Sequence, residues 1–142
     1  MGTYVVTEVA QACLNGNETR ARRLAGLTEA VHVYPATKAA LAWWTRRQAV
    51  GEDWIGAGIR LNAVAPGFVE TSMTAEMRSD PELGELVDAH PQPVGRPGRP
   101  DEIAATIAFL LGPQSSLCCG TVLYVDGGTD ALFNPQQPAP TG

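Results

Sequence analysis

Two residues of this 142-residue chain have the types and the spacing for proton chemistry: Tyr34 and Lys38. Four positions apart on a helix, their side chains lie on one face. A phenol is ordinarily a poor acid or base at neutral pH. A lysine ammonium a few ångströms away favours the phenolate. Such a pair can give a proton to a carbonyl oxygen, or take one from an alcohol, while hydride moves to or from carbon. Any exposed helix can also carry Tyr and Lys at this spacing as solvated surface residues, so the pair alone leaves both readings open.

The elements that would position the pair can be read from the surrounding pattern. Pro35 suits a first helical turn, so Tyr34-Pro35 is expected to open a helix running through Trp43, Trp44 and Val50 to a stop at Gly51. Its apolar residues occupy nearly every side, which predicts burial of most of its surface. Upstream, Asn17 is expected to cap a helix over residues 18–31, with Glu18 and Arg22 paired one turn apart. Residues 1–16 show only an apolar alternation around Tyr4–Val9, compatible with strand or loop. Downstream, Ile59–Ala65 reads as a strand closed by Pro66-Gly67. Residues 68–98 mix Met73, Met77, Leu83, Leu86 and Val87 with Ser, Asp, Pro and Gly, as in short helices on a flap. Asp101 is expected to cap a helix whose Ile103, Ile107, Leu110 and Leu111 share a face, ended by Gly112-Pro113. Thr121–Val125 reads as a last strand before an Asp126-Gly127-Gly128 turn, and 134–142 as a disordered Pro- and Gln-rich tail. Strands separated by helices imply parallel pairing in an α/β layer. Two strands make a poor sheet, because a parallel sheet needs its edges and faces covered.

Bulk properties narrow the function classes. A net charge of -5 and an isoelectric point near 4.9 argue against a nucleic-acid partner, which favours a basic face. The most apolar stretch, Ile103–Leu111, is too short to span a bilayer, so no membrane partner is expected. The start of the chain lacks the basic segment of a signal peptide, and Val6 departs from the myristoylation pattern. Cys13, Cys118 and Cys119 form no CxxC pair and no metal-like spacing, and the adjacent Cys118 and Cys119 read as small packing residues rather than redox or metal groups. Asn17-Glu18-Thr19 matches a glycosylation sequon without other signs of secretion. The expected location is cytoplasmic.

Beyond the pair, several segments occur in a telling order: Tyr34-Pro35-Ala36-Thr37-Lys38-Ala39-Ala40-Leu41; Ile59 through Asn62-Ala63-Val64-Ala65-Pro66-Gly67-Phe68-Val69-Glu70-Thr71; Gly95-Arg96; Pro100-Asp101-Glu102-Ile103-Ala104; and Gly120 with Val125-Asp126-Gly127-Gly128. From about Val33 to Gly128 this series resembles the short-chain dehydrogenase/reductase family. The resemblance implies a Rossmann-like, doubly wound parallel α/β sheet, with residues 1–133 as the C-terminal half of one such domain and 68–98 as its substrate flap. It implies an NAD(P)-dependent oxidoreductase interconverting a secondary alcohol and a ketone, with Tyr34 as general acid/base. Lys38 then holds the nicotinamide ribose and assists Tyr34. Pro66 and Gly67 form the bend over which the cofactor, NAD or NADP, sits, and Gly67 lets backbone approach it closely. The Val69 backbone and the Thr71 hydroxyl hold the carboxamide and phosphates. A homo-oligomer through the Tyr34 helix and the last strand is implied as well, with Trp43 and Trp44 either core or interface. The 17–31 insert, Gly56-Ala57-Gly58-Ile59-Arg60-Leu61-Asn62 and Asp126–Ala131 further resemble bacterial 3α-hydroxysteroid dehydrogenase/carbonyl reductases, which points to a steroid or other hydrophobic ketone.

The chain departs from the family pattern in three respects. It shows no glycine-rich strand–turn–helix for the pyrophosphate and no Asn-Ala-Gly motif. Nor does a serine precede Tyr34: the first is Ser72, with Thr3 and Thr7 as weak substitutes. On these grounds the 142 residues alone are expected to catalyse NAD(P)H-dependent reduction poorly. The competing expectation is a non-catalytic remnant of the fold serving as an interaction module.

Overall fold

The structure, a computed structural model, describes residues 2–81 and 83–136. Of the expected tail, 137–142 lie outside the described residues. The chain divides into two compact units, Met1–Ala63 with Cys118–Val122, and Val64–Leu117 with Leu123–Gly142.

The first unit is built on helix packing. Helix α1 spans Gly2–Leu14, α2 Glu18–Gly26 and α3 Ala30–Gln48. The expectation of strand or loop for residues 1–16 is therefore corrected to helix. Val9, Ala10 and Ala12 are buried, and Val9 and Ala10 pack with Ala36 and Ala40 of α3, flanked by Cys13, Leu24 and Trp43. Small residues on both faces let the two helices approach closely, and that tertiary burial overrides the β-like alternation of Tyr4–Val9. Asn17 caps α2 as expected, its side chain accepting from the Arg20 N–H at 3.0 Å, and Arg22 donates to Glu18 at 2.9 Å.

Helix α2 stops at Gly26 rather than residue 31, and α3 starts at Ala30 rather than Tyr34. Pro35 therefore sits inside α3, near its start. There its missing N–H removes one ladder bond and the helix continues. The expected burial of most of α3 is also corrected. Ala36, Ala40, Thr45 and Ala49 are buried, whereas Tyr34 is 67% and Leu41 54% exposed. Trp43 is half-buried against the core, and Trp44 stacks edge-on against Trp54 with ring centroids 6.0 Å apart.

Strand β1 spans Ala63–Pro66 and β2 Val122–Val125, paired in one sheet. The rungs rise together along both strands, from Ala63 N–H to Thr121 O (2.9 Å) to Gly67 N–H to Val125 O (3.1 Å), so the pairing is parallel. Both strands are shorter than their expected spans. Ahead of β1 the Asn62 side chain takes over a rung, donating to Cys118 O at 2.9 Å and accepting from the Thr121 N–H at 3.1 Å.

In the second unit, α4 (Ser72–Ser79) and α5 (Leu83–Asp88) lie within residues 68–98 as the expected short helices. Helix α6 runs Pro100–Leu111 and α7 Thr129–Phe133. Asp101 does not cap α6. The cap residue is Arg99, and the Glu102 carboxylate accepts from its N–H at 2.8 Å while also receiving both Arg96 guanidinium nitrogens at 2.9 and 2.7 Å. This bidentate pair, with the Arg99 N–H as a further donor, holds the Glu102 carboxyl down at about 2, well under its ordinary 4.5.

Candidate active site

In the first unit, α3 presents Tyr34 and Lys38 on an exposed face, one turn apart. The Lys38 ammonium stands 5.2 Å from the centroid of the Tyr34 ring, so the two side chains converge as their spacing requires. Their placement follows from the opposite face of the helix. Ala36 and Ala40 anchor α3 on α1, which turns the phenol and the ammonium away from that contact. Thr7 is exposed on α1, and the Thr3 side chain lies outside those described.

In the second unit, Pro66 ends β1 and Gly67 begins the bend. A Cβ added at Gly67 would meet Asp126 Cα at 2.6 Å and its Cβ at 2.8 Å. The neighbouring turn alone therefore requires glycine here, independently of any ligand. The Asp126 carboxylate accepts from the Gly128 N–H (2.9 Å) and the Asp130 N–H (2.7 Å). It fixes a turn whose Gly127 and Gly128 have φ of 65° and 96°, the left-handed region glycine favours. The Asp-Gly-Gly segment is thus the structural turn expected of it, and it also buttresses the bend.

Val69 forms a parallel bridge with Gly98, made by Gly98 N–H to Phe68 O (2.8 Å) and Glu70 N–H to Gly98 O (2.9 Å). Because those bonds use the groups of Phe68 and Glu70, the N–H and C=O of Val69 point to the other side of the segment. Thr71 caps α4: its Oγ1 accepts from the Thr74 N–H at 3.2 Å, and its own N–H donates to Thr74 Oγ1 at 2.8 Å. Beside Pro66 and Gly67 opens a cavity of about 280 Å³ whose walls include His90, Tyr124, Asp126 and Phe133. Among the described residues no three His, Cys, Asp or Glu side chains gather as a metal site.

Comparison with known proteins settles the family. Residues 19–130 match the family described as Enoyl-(Acyl carrier protein) reductase. The chain belongs to the short-chain dehydrogenase/reductase family. Within it, the chain is 48% identical over 96 residues to the galactitol 2-dehydrogenase (L-tagatose-forming) of Cereibacter sphaeroides, covering 67% of this chain and 36% of that one. It is 37% identical over 132 residues to the 3-alpha-hydroxysteroid dehydrogenase/carbonyl reductase of Comamonas testosteroni, covering 91% and 51%. Among solved structures, the 3-alpha-hydroxysteroid dehydrogenase of Pseudomonas sp. B-0831 complexed with NADH superposes with a TM-score of 0.83 at 43% identity, covering 92% of this chain and 51% of that one. The chain therefore spans between about a third and a half of the length of these relatives.

The short-chain dehydrogenase/reductase fold accounts for the two parallel strands and their helices as part of a Rossmann-like sheet, the architecture expected from the sequence. No helix among the described residues is long and apolar enough to cross a membrane. Sequence reasoning passed over Thr74, Asn62 and the carboxylate of Asp126. The first could have been found, since a hydroxyl residue three positions after Thr71 fits a capping pattern. The other two act through tertiary partners that no local pattern displays.

Proposed function

We propose that this chain carries the acid–base and nicotinamide-side parts of an NAD(P)-dependent oxidoreductase interconverting a secondary alcohol and a ketone. The observation that carries the reading is the convergence of the Lys38 ammonium on the Tyr34 ring, with both groups exposed to a substrate. The donors present fit a nicotinamide nucleotide: the Val69 N–H is directed away from its bridge, and the exposed Thr71 hydroxyl can donate outward while accepting from α4. The relative complexed with NADH supports that cofactor class, NAD or NADP.

A reduced nicotinamide held there supplies the hydride for the carbonyl carbon. Tyr34 Oη donates its proton to the carbonyl oxygen, giving the alcohol, and the Lys38 ammonium stabilises the phenolate left behind until it regains a proton from solvent. Lys38 keeps donors for the ribose hydroxyls, the Val69 N–H and Thr71 Oγ1 hold the carboxamide and phosphates, and Pro66 with Gly67 shapes the bend beneath. The flap with α4 and α5 covers the substrate, taken to be a hydroxysteroid or similarly hydrophobic ketone. The 3-alpha-hydroxysteroid enzymes that match over nine-tenths of this chain support that class. Self-association through the last strand and the exposed side of α3, where Leu41 and Trp44 lie, completes the reading.

The test is turnover of NADH or NADPH with a 3-ketosteroid by the purified protein, the Tyr34→Phe variant and the Lys38→Met variant. Tyr34→Phe should lower kcat by about 10²–10⁴ and shift stability by less than about 0.5 kcal/mol, because the hydroxyl is on an exposed side chain. Equal turnover by Tyr34→Phe would overturn the assignment. Because these residues span a third to a half of the relatives, weak turnover is expected, and binding of NADH or NADPH by the unsubstituted protein is the accompanying readout: binding of neither would leave the non-catalytic interaction module as the better reading.

A further inference from the structure

We propose that Thr74 is a positioning residue: its hydroxyl locks the Val69–Thr71 backbone so that the Val69 N–H is presented to the nicotinamide carboxamide. The inference rests on the cofactor reading given above and adds to it a residue that touches no ligand. Thr74 Oγ1 stands at the centre of the segment. It accepts from the Thr71 N–H at 2.8 Å and donates its single proton to Val69 O at 2.8 Å, the nearer of two carbonyls, with Thr71 O at 3.0 Å. Because that proton goes to a carbonyl, the 3.2 Å contact between the two threonine hydroxyls has Thr71 as its donor when Thr71 is not donating to a ligand.

The geometry at Val69 explains why this matters. In an extended segment the N–H and C=O of one residue point to the same side. On the far side, the bridge to Gly98 pins the segment through Phe68 O and the Glu70 N–H. On the near side, Thr74 takes Val69 O, so the peptide groups flanking Val69 are held from both directions and its N–H has a fixed aim. A donor already aimed in the absence of ligand loses no further conformational freedom when a ligand accepts from it. Thr74 is half-buried against this segment, whereas Ser79, on the same helix, sends its hydroxyl to Ala75 O at 3.0 Å in an exposed setting and touches nothing in it.

The experiment compares Thr74→Val, Thr74→Ala, Thr74→Ser and Ser79→Ala in the purified protein. Three readouts apply: thermal unfolding, hydrogen exchange of the Thr71 amide, and equilibrium binding of NADH and of ADP-ribose, which lacks the nicotinamide. Thr74→Val should speed exchange at Thr71 and weaken NADH binding by about fivefold, the worth of one ordinary hydrogen bond. ADP-ribose affinity should change by less than about twofold. Thr74→Ser, which restores the hydroxyl, and Ser79→Ala should match the unsubstituted protein in all readouts, and Thr74→Ala should repeat the Thr74→Val result should valine disturb the fold. Unchanged NADH affinity in both Thr74→Val and Thr74→Ala, an equal loss for ADP-ribose, or failure of Thr74→Ser to recover binding would each overturn the proposal while leaving the cofactor reading standing. If the unsubstituted protein binds neither NADH nor NADPH, the cofactor reading itself fails and Thr74 loses its role with it.

Discussion

Replacing Gly67 by alanine separates two explanations for the glycine at the bend. Were it there only to let a ligand approach, the ligand-free protein would tolerate a methyl group. The structure says otherwise. The added Cβ would lie 2.6 Å from Asp126 Cα and 3.0 Å from Asp126 O, against an ordinary contact of at least 3.4 Å, so the two backbones must part by roughly 0.8 Å. Neither can move freely. The Gly67 N–H is bonded to Val125 O at 3.1 Å, and Asp126 is held by its two carboxylate bonds to the following turn. Forcing extra atoms into such a contact costs about 1–3 kcal/mol, and with a urea slope of about 1–3 kcal/mol/M the unfolding midpoint should fall by roughly 1 M. Gly98→Ala serves as the control. Its Cβ would meet Phe68 O and Val69 Cγ2 at 3.5 Å, ordinary contacts, and its φ lies outside the left-handed region. That variant should stay within about 1 kcal/mol of the unsubstituted protein, on the stabilising side if anything, because alanine restricts the unfolded chain. The assay is equilibrium urea unfolding of ligand-free protein followed by circular dichroism. Coincident midpoints for Gly67→Ala and Gly98→Ala would refute the reasoning, and a Gly67→Ala defect visible only in ligand binding would restore the close-approach explanation.

Three other perturbations test the framework around the site. Asn62→Leu removes both an acceptor from the Thr121 N–H and a donor to Cys118 O; it should cost about 1–3 kcal/mol, and an unchanged urea midpoint would show the side-chain rung to be dispensable. Thr129 is 8% exposed, and its hydroxyl reaches Pro91 O and Asp126 O, each at 2.9 Å. Thr129→Val should cost about 1–3 kcal/mol, the penalty for leaving acceptors unpaired, and faster exchange of the Val94 amide, bonded to Gly127 O at 3.0 Å, would mark release of the segment around Val94. The Glu102 carboxyl has its folded value lowered from 4.5 to about 2, first by the Arg96 hydrogen bonds and then by the Arg99 N–H. Its contribution to stability is therefore fully present above about pH 4.5 and is lost as pH falls toward about 2. Glu102→Gln should flatten that part of the stability profile, and parallel profiles for the two proteins between those limits would contradict the assignment.

What the sequence made legible follows from the range of the interactions involved. Tyr34 and Lys38 were readable because a helix converts a four-residue spacing into a shared face, and that geometry is local. The Asn17 cap and the Glu18–Arg22 pair were readable for the same reason. The start of α3 was misplaced because Pro35 is also tolerated beyond the first turn, and nothing near it says which case applies. Helix α1 is not legible because the β-branched apolar residues around Tyr4–Val9 fit a strand or loop locally, while its helical state depends on Ala36 and Ala40, far along the chain. Gly67 is recognisable as special from the sequence, but its packing reason is not. The sequence shows that a side chain is absent, but the atoms filling that space belong to Asp126. The family resemblance fared better than any local inference, since a series of motifs in register samples the whole fold at once.

The two halves of the proposed chemistry are held in different ways, and the difference has a consequence for how the site can act. The backbone from Gly67 to Thr71 is tied by β2 at Gly67, by Gly98 on one side of Val69 and by Thr74 on the other, so its donors are set before any ligand arrives. Tyr34 and Lys38 are carried by the packing of α3 on α1 and contact each other, while their reactive ends are exposed. Rigid donors suit recognition of a cofactor that must sit in one orientation for hydride to pass to a single face of the substrate. An exposed phenol and ammonium suit the proton of the proposed reaction, which would be delivered and then regained from solvent in each cycle. In that proposed reaction a hydrophobic substrate that excludes water would strengthen the attraction between the Lys38 ammonium and a Tyr34 phenolate.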